Sequence, residues 1–274
     1  MMNMNCCARR NGHVWFPGRS HEVKGLRRFL ADEIKEGDGL CFIRGSEARH
    51  IATVLRMGKG DHVVVMDGKG RRFLTLIDSA NPREVVARIE RSIPEPSPSP
   101  VEIILCQSML KSAAMDYVVQ KASELGVNRI FPFSSRRSVS RPESERLENR
   151  LRHWREIARS SAKQSDRTVP AEITPVSNFG ELLARWKGID ACKIIFWEGE
   201  GSRGFKGIMR GSQNVKKFVG LVGPEGGFEK QEVDMAVDAG FISASLGSRI
   251  LRAETASVAV AAIVQYEWGD LAFL

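Results

Sequence analysis

A run with proline at every second position divides the chain. Pro94-Glu95-Pro96-Ser97-Pro98-Ser99-Pro100 can continue neither a helix nor a central strand, because proline fixes φ and lacks a backbone N–H. Such a segment favours an extended, semi-rigid connector. We therefore predict a linker at residues 94–100, with one structural unit over residues 26–93 and another over residues 101–274.

The first unit has the pattern of a small all-β fold. Short apolar runs are separated by turns rich in glycine, asparagine and aspartate, which is typical of a barrel or sandwich. One helix is predicted at residues 46–55, with Ser46 as its cap and an apolar stripe from Ala48 to Leu55. The predicted strands are residues 40–43, 62–66, 73–77 and 85–89.

The second unit alternates strands and helices, which predicts a mostly parallel sheet covered on both faces. Its first helix has apolar residues at helical spacing and is expected to end at Gly126. The predicted strands are residues 101–106, 127–133, 193–197, 218–222 and 241–246, and the predicted helices are residues 112–125, 145–164, 230–239 and 255–267.

Composition narrows the class of protein. Hydrophobic residues make up 42% and charged residues 27% of the 274 residues, which excludes wholesale disorder and fibrous folds. The net charge of +8 and the pI near 9.4 favour a polyanionic partner such as nucleic acid. No apolar run approaches the roughly 18 residues of a membrane span, so no membrane partner is expected. The five cysteines form no C-x-x-C pair and the histidines are scattered, so we expect no metal site and a reducing, cytoplasmic setting.

The most informative segment is Leu221-Val222-Gly223-Pro224-Glu225-Gly226-Gly227-Phe228, between a predicted strand and a predicted helix. Open α/β sheets bind ligands at this end of a strand, and glycines let the backbone approach a ligand closely. The segment is neither a G-x-G-x-x-G nor a Walker A loop, so the usual dinucleotide and phosphate interpretations do not apply. Taken alone, a loop of this composition is more often a structural turn than a site.

A second strand-to-helix loop, Leu246-Gly247-Ser248-Arg249-Ile250-Leu251-Arg252-Ala253-Glu254-Thr255-Ala256, carries three charged residues. The following helix begins here and offers free backbone N–H groups. Helix capping with solvated loop charges remains the alternative. Two such loops in the same half of the chain favour a shared crevice.

These two loops together resemble the uridine-N3 methyltransferases of 16S ribosomal RNA, the RsmE family of the SPOUT superfamily. The resemblance runs from about Leu26 to the C-terminus, and further segments match in the same order along the chain. Family members commonly begin near Arg27, so residues 1–25 are interpreted as an additional leader and Leu26 as a candidate native start. The further matching segments are residues 50–61, residues 115–127, Arg137-Ser138-Val139 and Gln164-Ser165-Asp166-Arg167.

The resemblance implies a fold and a set of partners. The expected fold class is α/β, with an N-terminal PUA-like β-barrel and a C-terminal SPOUT α/β domain that contains a trefoil knot. The implied cofactor is S-adenosylmethionine, and the implied substrate is a uridine of 16S rRNA in the decoding region of the small ribosomal subunit. The implied assembly is a homodimer with its active site near the subunit interface.

The resemblance also implies which residues form the cofactor pocket. One wall is expected from the first glycine loop and the other from the second loop, whose backbone would read the adenine. Glu198 either lines the same pocket or belongs to an ordinary loop. The implied cofactor residues are Glu198, Leu221, Val222, Gly223, Pro224, Gly226, Gly227, Leu246, Gly247, Ile250, Leu251, Arg252 and Thr255.

Methylation at uracil N3 requires loss of the N3 proton and stabilisation of the developing anion. Arg252 and Arg167 are the candidates for the stabilising cation. Glu254 is a candidate base or a group that orients an arginine, and the alternative is a carboxylate that only stabilises a helix N-terminus. The candidate RNA contacts are Arg27, Arg28, Arg56, Lys59, Arg136, Arg137 and Arg141.

Two other functions stay open from the residues alone. A knotted methyltransferase could act on another RNA, and a non-catalytic assembly factor could bind RNA without the cofactor. The chain also departs from the family where Lys111-Ser112-Ala113-Ala114-Met115-Asp116 replaces the usual Lys-Gly-Asp-Lys-Met-Asp, so one basic and one acidic position are lost.

Overall fold

The structure, a computed structural model, describes residues 25–94, 98–138 and 144–271, except for the side chains of residues 144 and 145. Residues 1–24, part of the proline-rich connector and Arg141 lie outside the described residues. The described chain forms two six-stranded sheets with separate apolar cores. Within the described ranges, no helix is long and apolar enough to cross a membrane.

The first sheet has the strand order β1-β4-β5-β6-β3-β2. Its pairs are antiparallel except for β1 with β4, and two register shifts between β5 and β6 bend it around a core that includes Ile43, Val63 and Ile77. The four predicted strands are confirmed. Two short ones at the start were not predicted, since three residues show no clear alternation. The strands are β1 Arg28–Leu30, β2 Glu33–Lys35, β3 Leu40–Arg44, β4 His62–Met66, β5 Arg72–Ala80 and β6 Glu84–Ile93.

The helix predicted in this unit begins one residue earlier than expected. It consists of α1, Gly45–Arg49, and a π-helical turn over His50–Val54. Ser46 does not cap it, so that prediction was wrong: Gly45 has a φ of +64° and turns the chain into the helix, leaving Arg44 at the cap position without a capping side-chain bond. The buried side of the helix is as predicted, with Ala48 and Ile51 fully buried.

The second sheet is wholly parallel, with the order β12-β10-β11-β7-β8-β9. Alternate residues of its strands point into two apolar clusters on opposite faces, which confirms the predicted covering by helices. Helices α2, α3, α5 and α7 cover one face and helices α4 and α6 the other. The strands are β7 Glu102–Ser108, β8 Arg129–Phe133, β9 Glu172–Ile173, β10 Cys192–Phe196, β11 Lys217–Val222 and β12 Ile242–Ala244, and the helices are α2 Ser112–Glu124, α3 Ser144–Gln164, α4 Phe179–Trp186, α5 Phe205–Gly211, α6 Lys230–Asp238 and α7 Ala253–Trp268.

Helix α4 was not predicted, although the sequence contains its start signal. The Asn178 side chain accepts a hydrogen bond from the Glu181 N–H at 3.0 Å, and the Glu181 carboxylate accepts one from the Ser177 N–H at 3.3 Å. An asparagine followed three residues later by glutamate is a recognised helix start. This signal would have located the helix.

Charged side chains join the two sheets. Asp166, which follows α3 with a φ of +59°, accepts hydrogen bonds from Arg28 Nε at 2.6 Å and from Arg72 Nη1 at 3.0 Å. Lys163 pairs with Glu47 beside it. The first sheet is therefore held against the C-terminal end of α3.

Glu102, at the start of β7, gives the protein a measurable response to acid. Burial opposes its ionisation, but hydrogen bonds from Arg129 and Lys217 outweigh burial and hold its pKa below the usual 4.5. A lowered folded-state pKa stabilises the protein above the unfolded pKa, and that contribution is lost as the pH falls through the folded value. Glu102→Gln should therefore unfold about 0.5–1 kcal/mol more easily than wild type at pH 7. In urea titrations this difference should shrink as the pH falls below 4.5, and a difference constant from pH 7 to pH 3 would contradict the assignment.

Candidate functional site

A cavity of about 970 Å³ lies at the carboxyl ends of β10, β11 and β12. The glycine loop after β11 and the loop between β12 and α7 both line it, so the two loops singled out from the sequence meet at one crevice. The lining residues named from the sequence are Glu198, Val222, Gly223, Pro224, Gly227, Leu246, Gly247, Ile250, Leu251, Arg252, Glu254 and Thr255.

Two residues of the expected cofactor set do not line the cavity. Leu221 is fully buried in β11 and packs in the apolar cluster beneath the loop. Gly226 faces away, because a Cβ there would lie 3.3 Å from the Cβ of Arg137. Both residues support the loop from behind.

Gly227 shapes the first loop. Its φ is +68°, and its N–H donates to the Pro224 carbonyl at 2.9 Å to close a tight turn. A Cβ at this position would lie only 2.6 Å from Glu198 Oε1. The backbone of the loop therefore passes close to the exposed carboxylate of Glu198, and both form the same stretch of wall.

The second loop leads directly into α7. Arg252 occupies the helix N-cap, has an exposed side chain and makes no capping side-chain bond, while Glu254 lies in the first turn. Ile250 is 86% exposed, which is unusual for an isoleucine and puts an apolar side chain on the rim. This wall combines apolar surface, a cation and a carboxylate at a helix N-terminus.

A third part of the cavity wall was not predicted from the sequence. The first turns of α2 supply Lys111, Ala113, Ala114 and Tyr117, and the Lys111 N–H donates to Glu225 Oε1 at 3.1 Å. The available signal was the position of this segment after β7, since β7 pairs with β11 and their carboxyl ends lie side by side. The segment that departs from the family pattern is thus part of the cavity.

Arg167 does not line the cavity. Its Nη1 donates to the carbonyl oxygens of Ser123 at 2.8 Å and Val127 at 2.9 Å, at the far end of α2. Burial lowers the pKa of its guanidinium, partly opposed by Asp270. Within one chain, Arg167 anchors two backbone carbonyls, and its contact with the reacting base stays a prediction.

The proposed RNA contacts fall into two groups. Arg27, Arg56 and Lys59 are exposed in segments that flank the strands of the first sheet. Three others bond to the protein itself: Arg28 to Asp166 (2.6 Å), Arg136 to Glu229 (3.0 Å) and Arg137 to the Gly226 carbonyl (3.1 Å). Across the three described ranges, no group of three or more histidine, cysteine, aspartate or glutamate side chains could hold a metal ion.

Comparison with known proteins follows the same division of the chain. The family described as RNA methyltransferase domain matches residues 97–265, and the family described as RNA methyltransferase PUA domain matches residues 43–90. The ribosomal RNA small subunit methyltransferase E of Mesomycoplasma hyopneumoniae is 32% identical over 233 residues, covering 85% of this chain and 96% of that protein. The protein of the same name from Bacillus subtilis is 28% identical over 229 residues, covering 82% and 89%.

A solved structure is similar over nearly the whole chain. It is the ribosomal RNA small subunit methyltransferase E of Neisseria gonorrhoeae bound to S-adenosyl methionine, with a TM-score of 0.82 and 32% identity. The similarity covers 90% of this chain and 100% of that one.

Proposed function

This chain belongs to the ribosomal RNA small subunit methyltransferase E family of RNA methyltransferases, and on that basis we propose that it methylates N3 of one uridine in 16S rRNA. It is an S-adenosylmethionine-dependent rRNA methyltransferase. The observation that carries the choice of site is the meeting of the two glycine-containing loops at one cavity.

The cavity fits S-adenosylmethionine. Its volume of about 970 Å³ lies at the upper end of the range for small-molecule sites, which leaves room for a target base beside the cofactor. At Gly227 the backbone approaches its neighbours too closely for a side chain. Val222, Gly223, Pro224 and the loop from Leu246 to Leu251 would hold the adenosine and methionine parts, and Glu198 lines the same cavity.

When bound, S-adenosylmethionine supplies a methyl group already activated on a sulfonium. The remaining task of this chain is to hold the uracil, remove its N3 proton and stabilise the resulting negative charge. Arg252 is the cation best placed on the cavity wall for that charge. Glu254, two residues further on, accepts the proton or orients Arg252, and its position in the first turn of α7 equally suits a carboxylate that stabilises the helix N-terminus.

The finer architecture belongs to the same proposal. We place a PUA-like barrel at residues 26–93 and a SPOUT domain with a trefoil knot at residues 101–274, joined by the connector at residues 94–100. Separate apolar cores support these bounds, because the clusters of the first sheet contain only residues of the first unit and those of the second sheet only residues of the second.

A homodimer is proposed as the active form, in the cytoplasm where ribosomes are assembled. Support comes from apolar side chains left exposed on neighbouring helices. Tyr117 of α2 and Ile263 and Tyr266 of α7 are 46%, 39% and 66% exposed. Contacts between α2 and α7 bring these helices side by side.

The decisive experiment is a methyl-transfer assay. The protein is incubated with labelled S-adenosylmethionine and small ribosomal subunits that lack the modification, and the labelled nucleoside is identified by mass spectrometry. We expect N3-methyluridine in 16S rRNA, and a parallel reaction with naked 16S rRNA tells whether the assembled subunit is required.

The alternatives predict different outcomes of that assay. Cofactor binding without label in 16S rRNA would contradict the proposed substrate and favour another RNA. RNA binding with no cofactor binding would favour a non-catalytic assembly factor, although both cofactor loops are intact in this chain.

A further inference from the structure

A buried glutamine lies directly beneath the cavity. Gln107 is the penultimate residue of β7 and is completely inaccessible to solvent. Its Nε2 donates to the carbonyl oxygens of Ser108 at 2.9 Å and Gly223 at 3.2 Å, and its Oε1 accepts from the hydroxyl of Ser257. All of these groups are buried, so losing one partner leaves a buried polar atom without its hydrogen bond.

Chemistry fixes the orientation of the Gln107 amide. Both carbonyl oxygens can only accept hydrogen bonds, so the NH₂ end must face them. The oxygen end must then face Ser257, which directs the single hydroxyl proton of Ser257 towards Gln107 although the Ala253 carbonyl lies 3.0 Å away. Both N–H groups and one lone pair of the amide oxygen are thereby matched to a partner.

Two of the three partners, the Gly223 carbonyl and the Ser257 hydroxyl, belong to the two halves of the site. Gly223 lies in the first cofactor loop, and Ser257 lies in α7 directly after the second loop, one turn beyond Ala253. Gln107 itself does not line the cavity. One side chain on the central strand therefore bonds to the backbone of one loop and to the helix that begins at the end of the other.

We propose that Gln107 is a positioning residue that sets the relative placement of the two cofactor loops. The inference rests on the proposed function, since it concerns the same cavity. If the amide is lost, the Gly223 carbonyl and the Ser257 hydroxyl each lose a buried partner. Either loop can then shift without the other. The conformation that binds S-adenosylmethionine is then populated for a smaller fraction of the time, which lowers the apparent affinity.

Two substitutions separate hydrogen bonding from packing. Gln107→Met keeps the length of the side chain and removes every hydrogen bond. Gln107→Glu keeps the shape but removes at least one of the two donors, so at least one of its oxygens faces a carbonyl oxygen without a hydrogen between them. We expect the dissociation constant of S-adenosylmethionine, measured by calorimetry, to rise on the order of tenfold or more in both variants. The KM for the cofactor should rise more than kcat falls.

A matched control tests for general destabilisation. Thr75 is fully buried in the first sheet and its hydroxyl donates to the Val63 carbonyl at 3.1 Å, so Thr75→Val also removes one buried hydrogen bond but far from the cavity. Thr75→Val should lower the melting temperature without changing cofactor affinity. Ser257→Ala, which leaves Gln107 Oε1 unpaired, should weaken cofactor binding less than Gln107→Met does.

A second readout needs no cofactor. Hydrogen exchange of the unliganded protein should show faster exchange at residues 223–228 and 246–257 together in Gln107→Met, and at neither segment in Thr75→Val. Unchanged exchange and unchanged affinity in a Gln107 variant with a lower melting temperature would overturn the inference, because Gln107 would then serve only the core. Failure of the proposed function would instead appear in wild type itself, as no binding of S-adenosylmethionine or no methyl transfer to 16S rRNA.

Discussion

Replacing Gly227 with alanine will weaken binding of S-adenosylmethionine at least tenfold. The φ of +68° costs a residue with a Cβ about 1–2 kcal/mol, and a new methyl group would lie 2.6 Å from Glu198 Oε1. The exposed Glu198 side chain can swing away, but it then leaves the wall of the cavity. Either response changes the site, and calorimetric titration of the cofactor measures the loss.

Gly240→Ala is the control for backbone strain. Gly240 has a φ of +90°, and a Cβ there would lie 3.2 Å from Lys193 Nζ, in the turn after α6 and away from the cavity. We expect both variants to lower the melting temperature, and only Gly227→Ala to change cofactor affinity. Equal affinities in Gly227→Ala and wild type would exclude a cofactor role for this loop.

Replacing Arg252 with alanine should lower kcat for methyl transfer on the order of a hundredfold, which is the usual loss when one group that stabilises a developing anion is removed. Its side chain is exposed on the cavity wall and makes no capping bond, so its removal should leave α7 intact. The cofactor dissociation constant should change much less than kcat. Single-turnover kinetics with saturating cofactor isolates the chemical step.

Two further variants test whether the charge of Arg252 is what matters. Arg252→Lys keeps a cation and should recover part of the lost rate. Arg249→Ala removes a cation from the same loop and should cost less, because Arg249 precedes the helix N-terminus by several residues. Equal losses in Arg249→Ala and Arg252→Ala would indicate a general electrostatic effect on RNA binding.

The two loops could be predicted from local patterns, because each contains glycine and lies between a predicted strand and a predicted helix. Glycines with φ above zero, such as Gly227 and Gly247, mark places where the backbone must turn or approach another group closely. Parallel strands place their carboxyl ends together, so two loops of this kind could be expected to share a crevice. The structure brings them together as predicted.

Contacts between distant segments could not be predicted in the same way. Arg28 and Asp166 are 138 positions apart, so nothing in the residues around Arg28 indicates that its guanidinium bonds to the second unit. The same holds for Gln107 and Ser257, which are 150 positions apart. The bonds from Arg167 to the carbonyls of Ser123 and Val127 are likewise 44 and 40 positions apart in sequence and could not be predicted from its neighbours.

The order of strands in the second sheet also governs how the chain matures during synthesis. The strands of the first sheet are complete by Ile93, but β7 pairs with β11, where Glu102 lies opposite Lys217. At about 5–20 residues per second, the ribosome takes on the order of ten seconds to deliver that partner. During that time the apolar strand β7 lacks its β11 partner, and the second loop is synthesised later still. A nascent chain therefore completes the strands of its first sheet well before both loops of the cavity have been synthesised.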